Sequence, residues 1–234
     1  RTEYNRMTES MLSFNSVSVD EWRAFWRWGC NQELTDWTLH EAVRDRMPRD
    51  TTTVYVDIIY GDMRQWDVSR VTNMNNMFSY LTVFDVDIGG WDVSSVRSMH
   101  GMFRRAIAFD ADIGGWDVSS VTDMDMMFGF TEFFNADIGG WDVTNVTSML
   151  GMFYGANAFI QNLSLWNVSN ANGMGLGSMF YETLMQNNVA FHPTRPPYTA
   201  AVLAAREQKQ RAAREKGERK RAEAAAQRAA RRAS

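Results

Sequence analysis

The sequence predicts an α/β repeat solenoid: each 25-residue unit would contribute a short parallel β-strand and a helical or 3₁₀ turn, between an N-terminal α+β cap and a long basic C-terminal helix. Within a unit, Trp and the Val two residues later alternate as on one face of a strand, whereas the following Met, Met and Phe have helical spacing. From Thr199 the chain is dominated by Ala, Arg, Glu, Lys and Gln, which are strong helix formers. The repeat itself is read from five Trp at intervals of 25 residues: Trp66, Trp91, Trp116, Trp141 and Trp166.

A fixed period of this length is typical of repeat proteins, in which each unit buries its apolar face only against its neighbours. Such an array needs capped ends, so we expect residues 1–62 to form an N-terminal cap. Thr38 with Glu41 three residues later predicts a capped helix there. The five units are predicted over residues 63–190, followed by a Pro-rich linker over 191–198 and a basic helical tail over 199–234.

The apolar positions of the unit keep the same 25-residue step and predict the core. Trp and Val are expected to point inward and to stack on their copies, whereas the Asp and Ser between them point outward. Gly-Gly before three of the Trp residues predicts a turn. The predicted core rows besides Trp are Val68, Val93, Val118, Val143 and Val168; Val71, Val96, Val121 and Val146; Met74, Met99, Met124, Met149 and Met174; the Met-Phe pairs at 77–78, 102–103, 127–128 and 152–153; Phe84, Phe109, Phe134 and Phe159; and Ile88, Ile113, Ile138 and Leu163.

The string "FDADIGGWDVSSVTDMDMMF" resembles the BspA-type leucine-rich repeats, also described as bacterial surface protein repeats of 25 or 26 residues, in their algal and protist members. The resemblance extends from about Leu39 to Phe180. Ile113, Trp116 and Val118 match the LxxLxL frame, and Val121 stands where the usual Asn would be. The resemblance implies a solenoid used for adhesion or protein contacts, with no enzymatic activity. The basic tail does not belong to that pattern.

Charge is divided unequally along the chain. Residues 201–234 contain eleven of the 24 Lys and Arg but four of the 28 Asp and Glu, so the tail carries +7 and the remainder −11. A basic tail on an acidic body is typical of an interaction arm. We expect the tail helix to be ordered by an acidic surface, and the Pro-rich linker favours a neighbouring subunit over the chain's own body. Three i,i+4 pairs are predicted to support it: Glu207–Arg211, Arg214–Glu218 and Glu215–Arg219.

The candidate partner-binding residues are the outward Asp and Ser of the repeat and the basic residues of the tail: Asp67, Asp92, Asp117, Asp142, Ser94, Ser119, Arg211, Arg214, Arg219, Lys220, Arg221, Arg228, Arg231 and Arg232. The repeated Asp also suggest calcium, which needs several converging oxygens. Asp that accept hydrogen bonds in turns produce the same pattern, and this interpretation is favoured.

No catalytic constellation is recognised in the sequence. His40, His100, His192 and Cys30 are scattered, so we predict no metal centre, no cofactor and no enzymatic activity. No run of eighteen apolar residues suggests a membrane span. The sequence therefore favours a non-enzymatic interaction or scaffold subunit of a larger, intracellular assembly, with other protein subunits as partners. The alternatives are a cell-surface adhesion module and a nucleic-acid-associated protein whose tail contacts backbone phosphates.

Overall fold

Turns, rather than regular secondary structure, make up most of the repeat region. The computed structural model describes residues 63–171, 178–193 and 199–233. In these ranges the regular elements are two 3₁₀ helices, Met63–Gln65 and Val189–Phe191, and one α-helix, Ala200–Ala233, here called the C-terminal helix. Thr199 caps this helix, since its hydroxyl accepts the Val202 N–H at 3.3 Å. The predicted N-terminal cap and residues 194–198 of the linker lie outside the described ranges.

The predicted core rows are confirmed. Each of their described members is buried, and the five Trp are at most 6% exposed. Rings of successive units lie over one another: the Trp116 and Trp141 centroids are 6.5 Å apart, and those of Phe103 and Phe128 are 5.6 Å apart. The units therefore form a stack, here meaning residues 63–171 and 178–193, in which rings of the Trp and Phe rows pack on their copies in the next unit.

Tryptophan also fixes the register between successive units. The indole N–H of Trp91 donates to the Met63 carbonyl at 2.9 Å, and that of Trp116 donates to the Ile88 carbonyl at 3.2 Å. Trp141 and Trp166 repeat this bond one unit further on each time. A buried indole without an acceptor would be costly, so each Trp both fills the core and holds the preceding turn in place.

The predicted parallel β-sheet is absent from the described residues, and the α/β solenoid prediction is wrong. Within the described ranges, the β-pairing between neighbouring units consists of isolated parallel bridges, Asn73–Ser98, Ser98–Asp123 and Asp123–Ser148. The reason lies in the backbone hydrogen bonds. The Met74 N–H donates to the next unit at Ser98, but the Met77 N–H turns back to the Met74 carbonyl of its own unit. Because alternate N–H groups close turns, consecutive bridges cannot accumulate into a strand.

The predicted helical or 3₁₀ turn at the Met-Met-Phe segment is also replaced by turns. Left-handed residues interrupt the segment, with φ of +54° at Asn76 and +66° at Tyr80. A residue in this region cannot continue a right-handed helix. The later units place Gly101, Arg105, Met126, Phe130, Gly151 and Gly155 at the equivalent positions, all with positive φ.

The C-terminal helix lies along the chain's own stack and crosses the units in reverse order. It begins near the fifth unit, where the Arg206 Nε donates to the Leu165 carbonyl at 2.5 Å. It ends near the first unit, where the Arg228 guanidinium donates to the Trp66 carbonyl at 3.1 Å. The expectation that this helix docks on a neighbouring subunit is therefore wrong: the acidic surface that orders it belongs to the same chain.

Candidate functional site

Three Gly-Gly turns form a groove that the C-terminal helix fills. We call this the helix groove; it consists of residues 89–90, 114–115 and 139–140. A Cβ built on Gly115 would lie 2.7 Å from the Cα of Gly217, and a Cβ on Gly140 would lie 2.8 Å from the Cβ of Ala213. These distances are shorter than packed carbon atoms tolerate. The Gly pairs form turns as predicted, but they also remove the side chains that would hold the helix away.

Carboxylates beside the helix groove pair with the three lysines of the chain. Lys209 lies 3.1 Å from Asp137, and Lys216 lies 2.7 Å from Asp112. Lys220 reaches Asp112 at 3.2 Å. Burial raises the pKa of Asp112, but the hydrogen bond from Lys216 and the charge of Lys220 outweigh it, so the pKa lies below its usual 3.8. This carboxylate is therefore ionised at neutral pH and joins two successive turns of the helix.

The predicted outward Asp and Ser residues are half-buried and bond to each other. The Asp92 Oδ1 accepts the Ser94 hydroxyl at 2.7 Å, and the Asp117 Oδ1 accepts the Ser119 hydroxyl at 2.6 Å together with its N–H at 3.1 Å. Asp67 makes the same pair of bonds to Ser69, whereas Asp142 accepts only the N–H of the following Thr144. These bonds are the ones that the turn interpretation of the Asp row predicts, because the Oδ1 of each Asp accepts from the residue two positions later.

The basic residues predicted to bind a partner are largely engaged within the chain. Lys220 and Arg228 contact the stack, and Arg214 lies 3.7 Å from Asp142. Arg211 and Arg219 stay exposed and pair along the helix. Their partners are Glu215 and Glu223, not those the sequence predicted. Arg221 is half-buried beside Gly217, and Arg231 and Arg232 lie in the last turn of the helix.

One group of metal-ligating side chains was missed from the sequence. His100, Asp123 and Asp125 have ligand atoms within 4.8 Å of one another. The 25-residue step was the available signal, since His100 and Asp125 hold the same position in successive units. Asp125 accepts the Ser148 hydroxyl at 2.5 Å, as Asn75 accepts that of Ser98 one pair of units earlier. The neutral amide of Asn75 and the carboxylate of Asp125 accept the same hydrogen bond between units. Packing of the stack is therefore a sufficient explanation for Asp125.

A second group that the sequence analysis missed is a row of aromatic and Arg side chains along the turns that follow the Met-Phe pairs, here called the outer turns (residues 79–83, 104–108, 129–133, 154–158 and 181–184). The Arg105 guanidinium carbon lies 5.5 Å from the Tyr80 ring centroid and 4.9 Å from that of Phe130. Phe130 is 5.1 Å from Tyr154, which in turn is 5.4 Å from Tyr181. At these positions successive units carry different types of side chain, so a search for one residue type at a 25-residue interval did not reveal the row.

The surroundings of Tyr154 change the pKa of its hydroxyl. Burial, followed by the charge of Glu182 and the proximity of Tyr181, raises the pKa of its hydroxyl above the usual 10.0. The hydroxyl therefore stays protonated at neutral pH and donates a hydrogen bond to Glu182. The row therefore has the charge of Glu182 beside its Tyr154 end and carries positive charge at Arg105 and the adjacent Arg104.

The fold and these surfaces define a protein of stacked 25-residue turns braced by its own C-terminal helix. A family described as "Mycoplasma protein of unknown function, DUF285" matches residues 50–132 and 84–191, which together make up more than half of the chain. The chain belongs to this family. No curated protein and no solved structure matched in the corresponding comparisons. Among the described residues, no helix has the length and apolar character needed to span a membrane.

Proposed function

We propose that this protein is a non-enzymatic interaction or scaffold subunit that binds other protein subunits through the outer turns of its stack. The observation that carries this proposal is the exposure of large apolar side chains there. Phe133 is 60% exposed, Val83 is 50% exposed and Leu184 is 63% exposed. Concentrations of exposed apolar side chains on a folded protein mark interaction surfaces. The stack supplies a rigid support for them, because its core and its unit-to-unit hydrogen bonds hold each outer turn in register.

The C-terminal helix acts in this proposal as an internal brace. Its three lysines pair with carboxylates of the stack, so they are not available together to a second acidic partner. Binding to a nucleic-acid backbone would require these pairs to break and a polyanion to approach a body with a charge of −11. These contacts favour the protein-binding function over the nucleic-acid alternative.

Cell-surface adhesion is the second candidate, supported by the resemblance of the Trp-Asp-Val-Ser repeat to BspA-type surface repeats and by the family match. Kinship with BspA-type repeats is itself part of this proposal. Secretion would expose the N-x-S/T triplets at Asn145, Asn162 and Asn167 to glycosylation. The Asn145 amide already donates to the Ser119 carbonyl at 2.8 Å, which favours an unmodified side chain at this position. Glycan analysis of the native protein separates the two candidates.

The test of the interaction function is quantitative affinity capture with the intact chain and two variants. The first variant replaces exposed apolar residues of the stack: Val83→Ser, Phe133→Ser and Leu184→Ser. The control variant makes the same kind of change on the exposed side of the helix: Ala212→Ser and Ala226→Ser. We expect a near-stoichiometric protein partner that the first variant loses and the control retains, with all chains melting at similar temperatures. Equal capture by both variants would refute the proposed surface.

A further inference from the structure

The aromatic–arginine row, which runs over four units and the end of the stack, is a built surface. Its members are Tyr80, Arg105, Phe130, Tyr154 and Tyr181, with Arg104 beside Tyr80. Hydrogen bonds between units fix its spacing: the Tyr80 N–H donates to the Arg104 carbonyl at 2.7 Å and the Arg105 N–H to the Gly129 carbonyl at 2.8 Å. The row is therefore held by the backbone of the stack and not by the side chains alone.

Three members of the row have a backbone conformation that side chains disfavour. Tyr80, Arg105 and Phe130 have φ of +66°, +59° and +60°. The fourth unit has Gly155 at the equivalent position, with φ of +65°. Left-handed backbone at a large residue costs of order 1 kcal/mol or more and persists where the surrounding structure imposes it. Glycine would meet the backbone requirement at lower cost, so the side chains in the first three units need a reason other than the turn.

The Arg105 guanidinium is oriented for a planar anion. Its carbon lies over the Tyr80 ring of the preceding unit and over the Phe130 ring of the following unit, and the side chain stays exposed to solvent. Within the described part of the chain, neither Arg104 nor Arg105 has a carboxylate within ion-pair distance. The Arg104 Nε is buried and has no hydrogen-bond partner there. An exposed guanidinium that is placed by two aromatic rings and has no carboxylate partner suits a bidentate carboxylate.

We propose that the aromatic–arginine row binds a segment of a partner protein in which carboxylate side chains stand beside apolar or aromatic ones, with Arg105 receiving a carboxylate. Tyr, Phe and Arg are the residue types enriched at the energetic centre of protein interfaces, and the chain's lysines all lie elsewhere, on the helix. This inference rests on the proposed interaction function and names the chemistry of the partner.

Two other ligand classes fit the row less well. A sugar stacks on an open aromatic face, but Arg105 covers Tyr80 and Phe130, and Tyr154 and Tyr181 stack on each other with an interplanar angle of 24°. A nucleic acid presents a phosphate every few ångströms, and the net charge of −11 over residues 1–200 repels such a polyanion. An isolated carboxylate with apolar neighbours avoids both difficulties.

The test uses two synthetic peptides, one with a single Asp among Phe and Leu residues, the other with that Asp replaced by Asn. Calorimetry with the full chain is expected to show at least about tenfold tighter binding of the Asp peptide, as for a hydrogen-bonded charge pair. The preference should disappear in Arg105→Gln and weaken in Phe130→Leu, which removes one of the two rings that place the guanidinium. Arg219→Gln, an exposed Arg on the helix, is the matched control and should retain it. Thermal melting should be unchanged in all three variants.

Equal binding of the two peptides, binding of neither, or a preference that survives Arg105→Gln would each overturn the inference. These outcomes differ from a failure of the interaction function itself. If the intact chain captures a partner through its outer turns and Arg105→Gln still binds that partner, the function stands and the assignment of the row is wrong. If no partner is captured at all, the interaction function fails.

Discussion

Replacing Gly217 by Ala provides the most direct test of helix docking, because it predicts a change opposite in sign to the usual one. In an exposed helix this substitution normally stabilises by about 0.5–1 kcal/mol. Here the added methyl group would overlap the carbonyl oxygen of Gly115, and Gly217 is buried. The overlapping atoms belong to the backbone of Gly115 and not to a flexible side chain, so the overlap can be relieved only if the helix moves away from the stack.

Overpacking of this kind typically costs about 1–3 kcal/mol. Because the overlap is with backbone, the upper part of that range, about 2–3 kcal/mol, applies, and subtracting a gain in helix propensity of about 1 kcal/mol leaves a loss of about 1–2 kcal/mol in the free energy of docking. Such a loss corresponds to about a 5- to 30-fold change in the ratio of docked to released helix. The contacts that would be released include the Lys216–Asp112 ion pair at 2.7 Å and the Arg228 hydrogen bond to Trp66 at 3.1 Å.

Amide hydrogen exchange over residues 199–233 of the full chain is the assay. Gly217→Ala should lower the protection of the helix amides by the factor above, while the circular dichroism of a peptide spanning residues 199–234 shows increased helix. Glu218→Ala, at the next and exposed position, is the control and should leave protection unchanged. Increased protection in the full chain with Gly217→Ala would show that the helix does not dock through its backbone, and the reasoning would fail.

Three further predictions concern the core, the acidic residues and metal binding. Trp116→Ala should lower the free energy of unfolding by about 3–5 kcal/mol in urea denaturation. Asp117→Ala, which removes two hydrogen bonds of a turn, should cost about 1–2 kcal/mol, and the reverse order would mean that the inward and outward faces are wrongly assigned. Because the folded pKa of Asp112 is lowered, its contribution to helix docking is present above the ordinary pKa and lost as pH falls through the lowered value. NMR shifts of the helix amides should therefore be constant from neutral pH to about pH 5 and change below about pH 4, and Asp112→Asn should remove the transition. Calorimetry with Ca²⁺ should show no binding tighter than millimolar, and a micromolar site would contradict the turn interpretation of the Asp residues.

The core was predictable because a strict period leaves little choice about which residues face inward. Each of the rows from Trp66 to Leu163 keeps one residue type, or a close relative, at one position, and the described copies are buried. The β-sheet prediction failed because burial does not determine the pattern of backbone hydrogen bonds. Alternation of Trp116 and Val118 shows which side of the chain is buried, but a strand also needs its N–H groups to bond to neighbouring strands rather than to its own turn. The Val121 N–H instead returns to the Val118 carbonyl at 2.9 Å.

The docking of the helix on its own stack was missed because its contact face contains no large apolar residue. The absence of such residues after Leu203 excludes a coiled-coil seam and favours a helix that bridges solvent or is bound to a charged surface. The structure shows a face of small residues, Ala213, Gly217 and Ala224, which lets the two backbones approach closely. A face of this kind is invisible to any search for hydrophobic periodicity, since Ala and Gly contribute almost nothing to it.

Gly217 nevertheless indicates in the sequence that one side of the helix packs closely against another backbone. A lone Gly in the interior of an otherwise Ala-, Arg- and Glu-rich helix costs about 1 kcal/mol relative to Ala, so it needs a packing reason. The Gly-Gly pairs of the repeat supply the complementary half, because a turn alone would accept Asn or Asp at one of the two positions. Where both the helix and the turn opposite it lack a Cβ, as at Gly217 and Gly115, close backbone contact accounts for both glycines at once. Once the helix is docked, the lysines at 209, 216 and 220 lie beside Asp residues of turns that recur every 25 residues. The basic tail and the acidic body of the sequence are therefore the two sides of a contact within the chain.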